Sequence, residues 1–304
     1  MAPSTFLSNK IKYNLISVLG WEERCYLGIM KTSGIISVSK LVLLVFKDYL
    51  KYTSSNLGRI KELCLEKRIE LQIVELSYSR TADAWSQIGS IIEHPAVKKE
   101  NSILDVSTMP RETIWSFIFF ARKKNIELRF IYFKPLHYGD WLCKEPDKPR
   151  LLYKHSGVAE FGKSTALIIL TGFDYDRTSQ LVRFYEPSLT VLGIQKGIQF
   201  DNQQRNIQDQ HAAECNGQTT VSFFEIDAYD LRAASAILDD QIKRLKSDYN
   251  IIVSSLGPKL SAISIYDVFL THPEIALTYV PTKEYNLSYS TGIDLEPIIG
   301  ILPA

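Results

Sequence analysis

Cysteine is scarce in this chain, and the few cysteines present do not cluster. Four occur among 304 residues, far apart and without a C-x-x-C pair: Cys25, Cys64, Cys143 and Cys215. Neither a zinc site nor a disulfide framework is therefore indicated, because both need closely spaced cysteines. The five histidines likewise show no H-x-x-x-H or H-E-x-x-H spacing, which argues against a zinc hydrolase.

Other common catalytic and nucleotide-binding signatures are not apparent either. The chain has no G-x-G-x-x-G fingerprint, so an NAD-type dehydrogenase is a poor fit, and no P-loop ATPase is expected. It has no G-x-S-x-G elbow, the turn on which many serine hydrolases carry their nucleophile. No motif of this kind assigns a reaction to the chain.

Charge of one sign is not in excess. Lysine and arginine number 35 against 34 acidic residues, so no overall field draws in nucleic acid and duplex DNA is not an expected partner. No apolar run reaches the roughly eighteen residues that a membrane helix needs, and the first residues do not form a signal sequence. The expectation is a cytoplasmic protein without membrane contact.

What the chain does have is a regular alternation of apolar strand patterns with amphipathic helical patterns. Such alternation is typical of parallel βαβ units and predicts an α/β fold. It runs through the chain twice, which predicts two tandem Rossmann-like halves related by internal duplication, a pseudo-dimer within one chain. We expect domain 1 over 1–145, a linker over 146–163 and domain 2 over 164–304.

The duplication is clearest at one turn. Leu104 to Arg111 reads as a buried strand end, a turn with hydroxyl groups, and a helix opened by a proline and a cation, and Val253 to Lys259 repeats that order. Asp105 is matched to Val253 and so lacks an acidic counterpart. Six matches link the halves, three of them within this turn: Gly20 with Gly172, Ser107 with Ser255, Pro110 with Pro258, Arg111 with Lys259, Pro135 with Pro281, and Tyr138 with Tyr285.

The candidate ligand-binding residues lie in turns that a parallel sheet brings together, beyond the strand ends where the strand order reverses. Helix N-termini, hydroxyl groups and cations there offer many donors and few acceptors, which suits a phosphate, and tyrosines can stack on bases. In the first half the predicted ligand residues are Gly20, Glu22, Arg24, Ser107, Thr108, Arg111 and Tyr138. In the second half they are Gly172, Asp174, Arg177, Ser254, Ser255, Lys259 and Tyr285.

Each candidate also has a plain structural interpretation. Ser107 and Ser255 can cap their helices, and Glu22 and Glu23 gain from the helix dipole without having a function. Asp105 can accept hydrogen bonds from the adjacent loop. If the crevice is catalytic, Asp105 or Glu23 is the base or metal ligand, and Mg²⁺ or Mn²⁺ is the cofactor.

This organisation resembles the Rossmann-like sensor domains of prokaryotic antiviral defence systems, the CARF domains and the SAVED domains that look like two fused CARF units. In that family the turns after the first and fourth strands bind cyclic oligonucleotides at a two-fold interface. The resemblance implies ligand contacts from residues 20–24 with 107–111, and from 171–177 with 254–259. The fourth-strand turn, Ser-Thr-Met-Pro-Arg, departs from the Gly-Gly-Thr-Lys type of the family.

The resemblance implies a sensor or adaptor subunit of a defence system that binds a nucleotide or cyclic oligonucleotide between two pseudo-equivalent halves. No nuclease, HEPN or helix-turn-helix segment is visible in the sequence, so a protein partner is expected to supply the effector activity. Two alternatives stay open. One is a metal-dependent enzyme that cleaves a nucleotide phosphoester in the same crevice, and the other is a structural subunit of a defence complex.

Overall fold

The computed structural model describes residues 11–77, 80–94, 101–196, 208–215 and 217–303. Contacts divide the chain into two compact units: unit 1 contains Met1–Asp140 and Leu287–Ala304, and unit 2 contains Trp141–Asn286. Part of the segment 146–163, predicted as a linker, forms strands within unit 2, whereas the last residues of the chain join unit 1. The boundaries of the two folding domains stay a prediction.

Unit 1 alternates strands and helices in the predicted order. Its strands are β1 (Lys12–Val18), β2 (Ser37–Phe46), β3 (Glu70–Leu76), β4 (Ser102–Asp105), β5 (Arg129–Tyr132), β6 (His137–Tyr138), β15 (Ser290–Thr291) and β16 (Ile298–Ile301). Its helices are α1 (Glu23–Ile35), α2 (Leu50–Lys67), α3 (Thr81–Glu93) and α4 (Arg111–Lys123). The central sheet has six strands in the order β16-β5-β4-β1-β2-β3, parallel except for β16, which runs antiparallel to β5.

Unit 2 repeats this plan. Its strands are β7 (Cys143–Pro146), β8 (Arg150–Leu151), β9 (Ser164–Leu170), β10 (Leu189–Gln195), β11 (Thr220–Ile226), β12 (Tyr249–Ser255), β13 (Ala276–Tyr279) and β14 (Thr282–Tyr285). Its helices are α5 (Tyr175–Tyr185), α6 (Gln208–Ala213), α7 (Leu231–Leu245) and α8 (Lys259–Thr271). The sheet order is β11-β10-β9-β12-β13-β8, again parallel except for the last strand. The stretch from 195 to 218 is rich in Gln and Asn, which predicts a helix and a surface loop; it contains α6 but lies partly outside the described residues.

The two sheets confirm the predicted α/β fold with two Rossmann-like halves. Each has five parallel strands in the same order, closed by one antiparallel strand. The match extends to surface ion pairs, because Lys47 pairs with Glu75 at 2.6 Å beside β3 and Lys196 pairs with Glu225 at 2.9 Å beside β11.

Burial explains why these segments form central strands and packed helices. The last five residues of β9, Ala166 to Leu170, are all fully buried, as expected of a strand covered by helices on both faces. The apolar spacing from Thr81 to Glu93 predicts a helix, and α3 has these bounds. Trp85 on its apolar face contacts the rings of Phe119 and Phe120, both on α4, at 5.4 and 5.9 Å. Pro110 and Pro258 occupy the N-cap positions of α4 and α8.

Each unit also carries a short two-stranded ribbon next to its sheet. The first ribbon is β6 paired with β15, in which Tyr138 lies opposite Ser290. The second ribbon is β7 paired with β14, in which Cys143 lies opposite Tyr285. Among the helices of the described residues, none combines the length and apolar composition that crossing a membrane would require.

Candidate functional site

The strand order reverses between β1 and β4 in unit 1 and between β9 and β12 in unit 2. We call the space beyond the carboxyl ends of these strands the first crevice and the second crevice. Parallel α/β sheets bind ligands at such positions, because two neighbouring turns diverge there and expose helix N-termini. The predicted turns therefore lie at the carboxyl ends of the strands, where the strand order of each sheet reverses.

In the first crevice, the turn after β1 is held tightly by its neighbours. The Asn56 side-chain amide on α2 donates to the carbonyl oxygens of Gly20 and Glu22, both at 2.8 Å. The Thr108 hydroxyl donates to the carbonyl of Val18 at 3.3 Å, and a Cβ at Gly20 would lie 3.2 Å from the Thr108 Cβ. Gly20 and Thr108, both predicted as ligand residues, thus contact each other.

The charged centre of the first crevice is a buried ion pair. Arg24 is only 2 % exposed, and its Nη2 lies 2.9 Å from Oε2 of Glu22. The same carboxylate oxygen accepts a hydrogen bond from the Ser290 hydroxyl at 2.6 Å, and Arg24 Nη1 donates to the carbonyl of Phe133 at 3.2 Å. Burial alone would lower the pKa of Arg24, but Glu22 and nearby tyrosines outweigh it and raise that pKa.

Tyrosines surround this ion pair. The Arg24 guanidinium lies 5.8 Å from the centre of the Tyr132 ring, and the rings of Tyr138 and Tyr289 meet edge to face at 6.3 Å. Burial raises the pKa of Tyr138 well above its ordinary value, so its hydroxyl stays protonated. Tyr138 was predicted as a ligand residue, and it shares the electrostatic environment of Arg24 and Glu22.

Asp105, at the end of β4, is 1 % exposed and bonded within the fold. Its Oδ1 accepts from the backbone of Ser107 at 2.9 Å, and its Oδ2 accepts from the Ser17 hydroxyl at 3.4 Å. Burial raises the pKa of Asp105, and these hydrogen bonds work against that rise. The Ser107 hydroxyl in turn accepts from the backbone of Phe133 at 2.9 Å. These contacts match the structural interpretation of Asp105, and its catalytic role stays a prediction.

The second crevice repeats the ion pair with different side chains. Arg177 is 5 % exposed, and its Nε lies 3.2 Å from Oδ2 of Asp174. That oxygen also accepts from the Cys143 thiol at 2.6 Å. Arg177 Nη2 reaches the Thr282 hydroxyl at 3.5 Å, and Tyr279 and Tyr285 are close enough to help raise the pKa of Arg177 despite its burial.

The turn after β9 is held in the same places as the turn after β1. His211 on α6 contacts the carbonyl of Gly172 through Nε2 at 3.0 Å, as Asn56 contacts Gly20. The backbone N–H of Leu256 donates to the carbonyl of Leu170 at 2.8 Å, where unit 1 uses the Thr108 hydroxyl. A Cβ at Gly172 would lie 2.3 Å from the carbonyl oxygen of Leu256, so only glycine fits there without movement.

The sheet register corrects one predicted match. Ile16 lies opposite Leu104, and Ile168, at the same place in β9, lies opposite Val253. The residue that corresponds to Asp105 is therefore Ser254 and not Val253. The Ser254 hydroxyl donates to the carbonyl of Thr278 at 3.4 Å, so it too stays within the fold.

The remaining predicted residues lie at or near the helix N-termini. The Ser255 hydroxyl bonds that of Ser261 at 2.6 Å and so does not act as the N-cap, which is Pro258. Arg111 is buried and Lys259 is half-buried, each as the first residue of its helix. The exposed Glu23 carboxylate accepts from the backbone of Gly292 at 3.3 Å.

Two important residues of the crevices were not predicted. Ser290 and Cys143 come from the ribbons, and nothing in their local sequence marks them as neighbours of the first-strand turns. The separation of Ser290 from Glu22 is 268 positions along the chain. The pairing of the two strands within each ribbon would have to be known before these contacts could be inferred.

One further sequence match has a structural explanation. Residues 157–164 read G-x-x-x-x-G-K-S, the Walker A pattern, although no P-loop was expected. A P-loop opens a helix, whereas here Ser164 opens strand β9. The Lys163 ammonium donates to the carbonyl of Lys246 at 2.9 Å and pairs with Glu160 at 2.8 Å. The match is therefore not a phosphate-binding loop.

The four cysteines are all buried and free of disulfide bonds, as their spacing predicted. Burial raises the pKa of Cys143 to about 12, so it acts as a neutral hydrogen-bond donor. Within the ranges that the structure describes, no three His, Cys, Asp or Glu side chains are grouped closely enough to hold a metal ion.

Comparisons with known proteins bear mainly on the fold. No protein-family model and no curated protein matches the chain. Among solved structures, it is similar to a type III CRISPR defence DNA nuclease activated by cyclic oligoadenylate, with a TM-score of 0.53 and 8 % identity. The alignment covers 84 % of this chain and 63 % of the nuclease, so the chain spans less than two thirds of that protein.

Two further solved structures align with much lower scores. A ketoreductase domain from the bacillaene assembly line gives a TM-score of 0.23 at 15 % identity, covering 82 % of this chain and 59 % of that one. A type I 3-dehydroquinate dehydratase from Clostridium difficile gives 0.19 at 10 % identity, covering 81 % and 76 %. Scores this low carry no argument about this chain.

Proposed function

We propose that this protein is a sensor that binds an anionic nucleotide, of the cyclic oligoadenylate class, in its two crevices. The observation that carries the proposal is the duplicated set of a buried arginine, its acidic partner and nearby tyrosines, at the place where each sheet reverses its strand order. Arg24 and Arg177 are the central cations, and Tyr138 and Tyr285 border the bases.

The chemistry of the set suits a nucleotide. A guanidinium binds two phosphate oxygens at once, and tyrosine rings stack on bases of any identity. Arg111 and Lys259, as first residues of α4 and α8, add positive charge where the helix dipole already favours an anion. Because the set is repeated, each crevice can bind the same phosphate and base unit.

The similarity in fold points the same way. The nuclease with the related fold is activated by cyclic oligoadenylate, and the organisation of this chain resembles the CARF and SAVED sensors. On this basis we infer a sensor or adaptor subunit of a prokaryotic antiviral defence system. A partner protein supplies the effector activity.

Isothermal titration of the full chain tests the proposal. The ligand panel consists of cyclic oligoadenylates of different ring size, their linear counterparts, and cyclic dinucleotides. Arg24→Lys and Arg177→Lys retain the ion pairs but lose the forked donors, so each should weaken binding by about tenfold. Arg183→Gln, on the exposed face of α5, is the matched control and should bind like the original protein.

Two outcomes would contradict the proposal. One is the absence of binding across the whole panel, and the other is binding that neither arginine substitution alters while circular dichroism shows both variants folded. Incubating the ligand that binds with Mg²⁺ or Mn²⁺ separates a sensor from a phosphoesterase. If the original protein forms product and Asp105→Asn does not, the enzyme is favoured, with Asp105 or Glu23 as base or metal ligand.

A further inference from the structure

The two ribbons place one small donor side chain at the same point of each unit. Ser290 lies opposite Tyr138 in the first ribbon, and Cys143 lies opposite Tyr285 in the second. The backbone next to each pair matches as well, because Gly139 donates to the carbonyl of Tyr289 and Asn286 to that of Leu142, both at 3.0 Å. Ser290 and Cys143 therefore occupy equivalent positions.

Each donor reaches the acid that holds the arginine. The Ser290 hydroxyl donates to the Glu22 oxygen that pairs with Arg24, at 2.6 Å. The Cys143 thiol donates to the Asp174 oxygen that pairs with Arg177, also at 2.6 Å. The acid in each crevice is thus fastened on one side to its arginine and on the other side to its ribbon.

In each crevice the arginine and the ribbon donor share one carboxylate oxygen, so a movement of that oxygen changes both contacts. Arg24 and Arg177 are almost fully buried, so a phosphate cannot form two hydrogen bonds with either guanidinium while the acid keeps its place. Holding a phosphate and a carboxylate together in a buried site brings two like charges into contact, which is unfavourable. An incoming phosphate must therefore displace the acid, and the acid then leaves the hydrogen bond from the ribbon.

We propose that Ser290 and Cys143 are positioning residues that latch the acids in the closed state, and that anion binding at the arginines releases the ribbons. The inference rests on the proposed function, since it assigns the regulation of the same crevices. Because a ligand can shift an equilibrium only by its differential affinity for two states, the latch must lower the apparent affinity of the closed protein. The ribbons are then the elements through which occupancy of the crevices is communicated.

The test relies on thermal stability and anion affinity changing in opposite directions. Ser290→Ala removes the donor in unit 1, so it should lower thermal stability and yet tighten anion binding, by about threefold to tenfold, from the loss of one charge-assisted hydrogen bond. Cys143→Ser puts the stronger hydroxyl donor of unit 1 into unit 2, so it should raise stability and weaken binding there. A merely structural role predicts that stability and affinity fall together in Ser290→Ala.

Inorganic pyrophosphate and the cyclic oligoadenylate series serve as separate probes, both measured by titration on the full chain. Hydrogen exchange on the same samples should show that the amide of Gly292, which donates to Glu23 beside the first latch, exchanges faster when the probe is bound. Tighter pyrophosphate binding by Ser290→Ala without any nucleotide binding would support the latch and remove the proposed function. Weaker or unchanged affinity in that variant, slower exchange at Gly292, or no binding of either probe would overturn the latch.

Discussion

The turn after β1 is held by an asparagine and closed by a threonine hydroxyl, whereas the turn after β9 is held by a histidine and closed by backbone. Asn56 and His211 both contact the carbonyl of the turn glycine. Thr108 in unit 1 and the N–H of Leu256 in unit 2 both donate to the last carbonyl of the first strand. The positions of the donors are retained although the donor groups differ.

The same holds at the charged centre. Glutamate, arginine and serine in unit 1 stand where unit 2 has aspartate, arginine and cysteine. The arginine alone has the same identity in both, which is expected if its forked donors are the part that a ligand requires. The acid and the ribbon donor need only form a hydrogen bond with each other. The identity of either side chain can therefore change if the other still reaches it.

The largest expected effect comes from removing one member of a buried ion pair. Glu22→Ala leaves the Arg24 guanidinium buried without its carboxylate, which should lower the free energy of unfolding by about 3–5 kcal/mol. Asp174→Ala should have a comparable effect, because the Asp174 side chain is 10 % exposed against 7 % for Glu22. Urea unfolding of the full chain measures both.

The control is Glu22→Gln, which keeps the shape and one acceptor while losing the charge, and it should fall between the original protein and Glu22→Ala. A loss below about 1 kcal/mol in Glu22→Ala, the value typical of exposed pairs, would mean that Arg24 finds another partner or reaches water. The description of a buried, mutually dependent pair in the first crevice would then be wrong.

The second prediction uses the difference between Asn56 and His211. Burial lowers the pKa of His211 to about 4 from an ordinary 6.5, so between these values the unfolded chain binds a proton that the folded chain does not. The stability that His211 contributes is therefore complete above pH 6.5 and is lost as the pH falls toward 4, by on the order of 3 kcal/mol. An amide at that place would not titrate.

His211→Asn installs in unit 2 the residue type that unit 1 uses. Urea unfolding of both chains between pH 7.5 and about 4 should show a shallower decline of stability for the variant, because the other titrating groups are common to both. Parallel declines in the two chains would show that His211 is protonated in the fold or reaches solvent, and that its match to Asn56 is one of position alone.

The local hydrophobic pattern of the sequence was enough to predict much of the fold. The alternation of strand and helix periodicity predicted two parallel sheets, and α3 has the predicted bounds because its apolar face recurs at helical spacing in Trp85, Ile88 and Ile92. The return of β16 to the edge of the first sheet was not predictable in this way. That strand has only four residues, and its partner β5 lies far back along the chain, so no local pattern shows the pairing.

The site was predictable to the level of its turns. Gly20, Arg24, Gly172 and Arg177 were selected because they follow the first strand of each half, and they do lie at the reversal of strand order. Which donors would be consumed inside the fold could not be inferred. The Ser107 hydroxyl, for example, bonds the backbone of Phe133, and that contact depends on how β4 and β5 pair.

The smallest of the three effects concerns the two turn glycines. Gly172→Ala would place a Cβ 2.3 Å from the carbonyl oxygen of Leu256, a backbone atom of a residue whose N–H is bonded to the carbonyl of Leu170. Gly20→Ala would place its Cβ 3.2 Å from Cβ of Thr108, a contact that a small shift relieves. We expect Gly172→Ala to lower the free energy of unfolding by about 1–3 kcal/mol, and Gly20→Ala by less than about 1 kcal/mol.

Gly34→Ala provides the baseline, because a Cβ at that position of α1 meets nothing within 4 Å and should stabilise the helix slightly. In unit 1 the atoms nearest the new Cβ are Cβ and Oγ1 of Thr108, at 3.2 and 3.3 Å, so a small shift of that side chain relieves the contact. No comparable relief exists in unit 2, since the obstacle is backbone. Equal losses in Gly20→Ala and Gly172→Ala would mean that both turns yield alike, and that the closure of the second crevice by backbone does not make it the more rigid of the two.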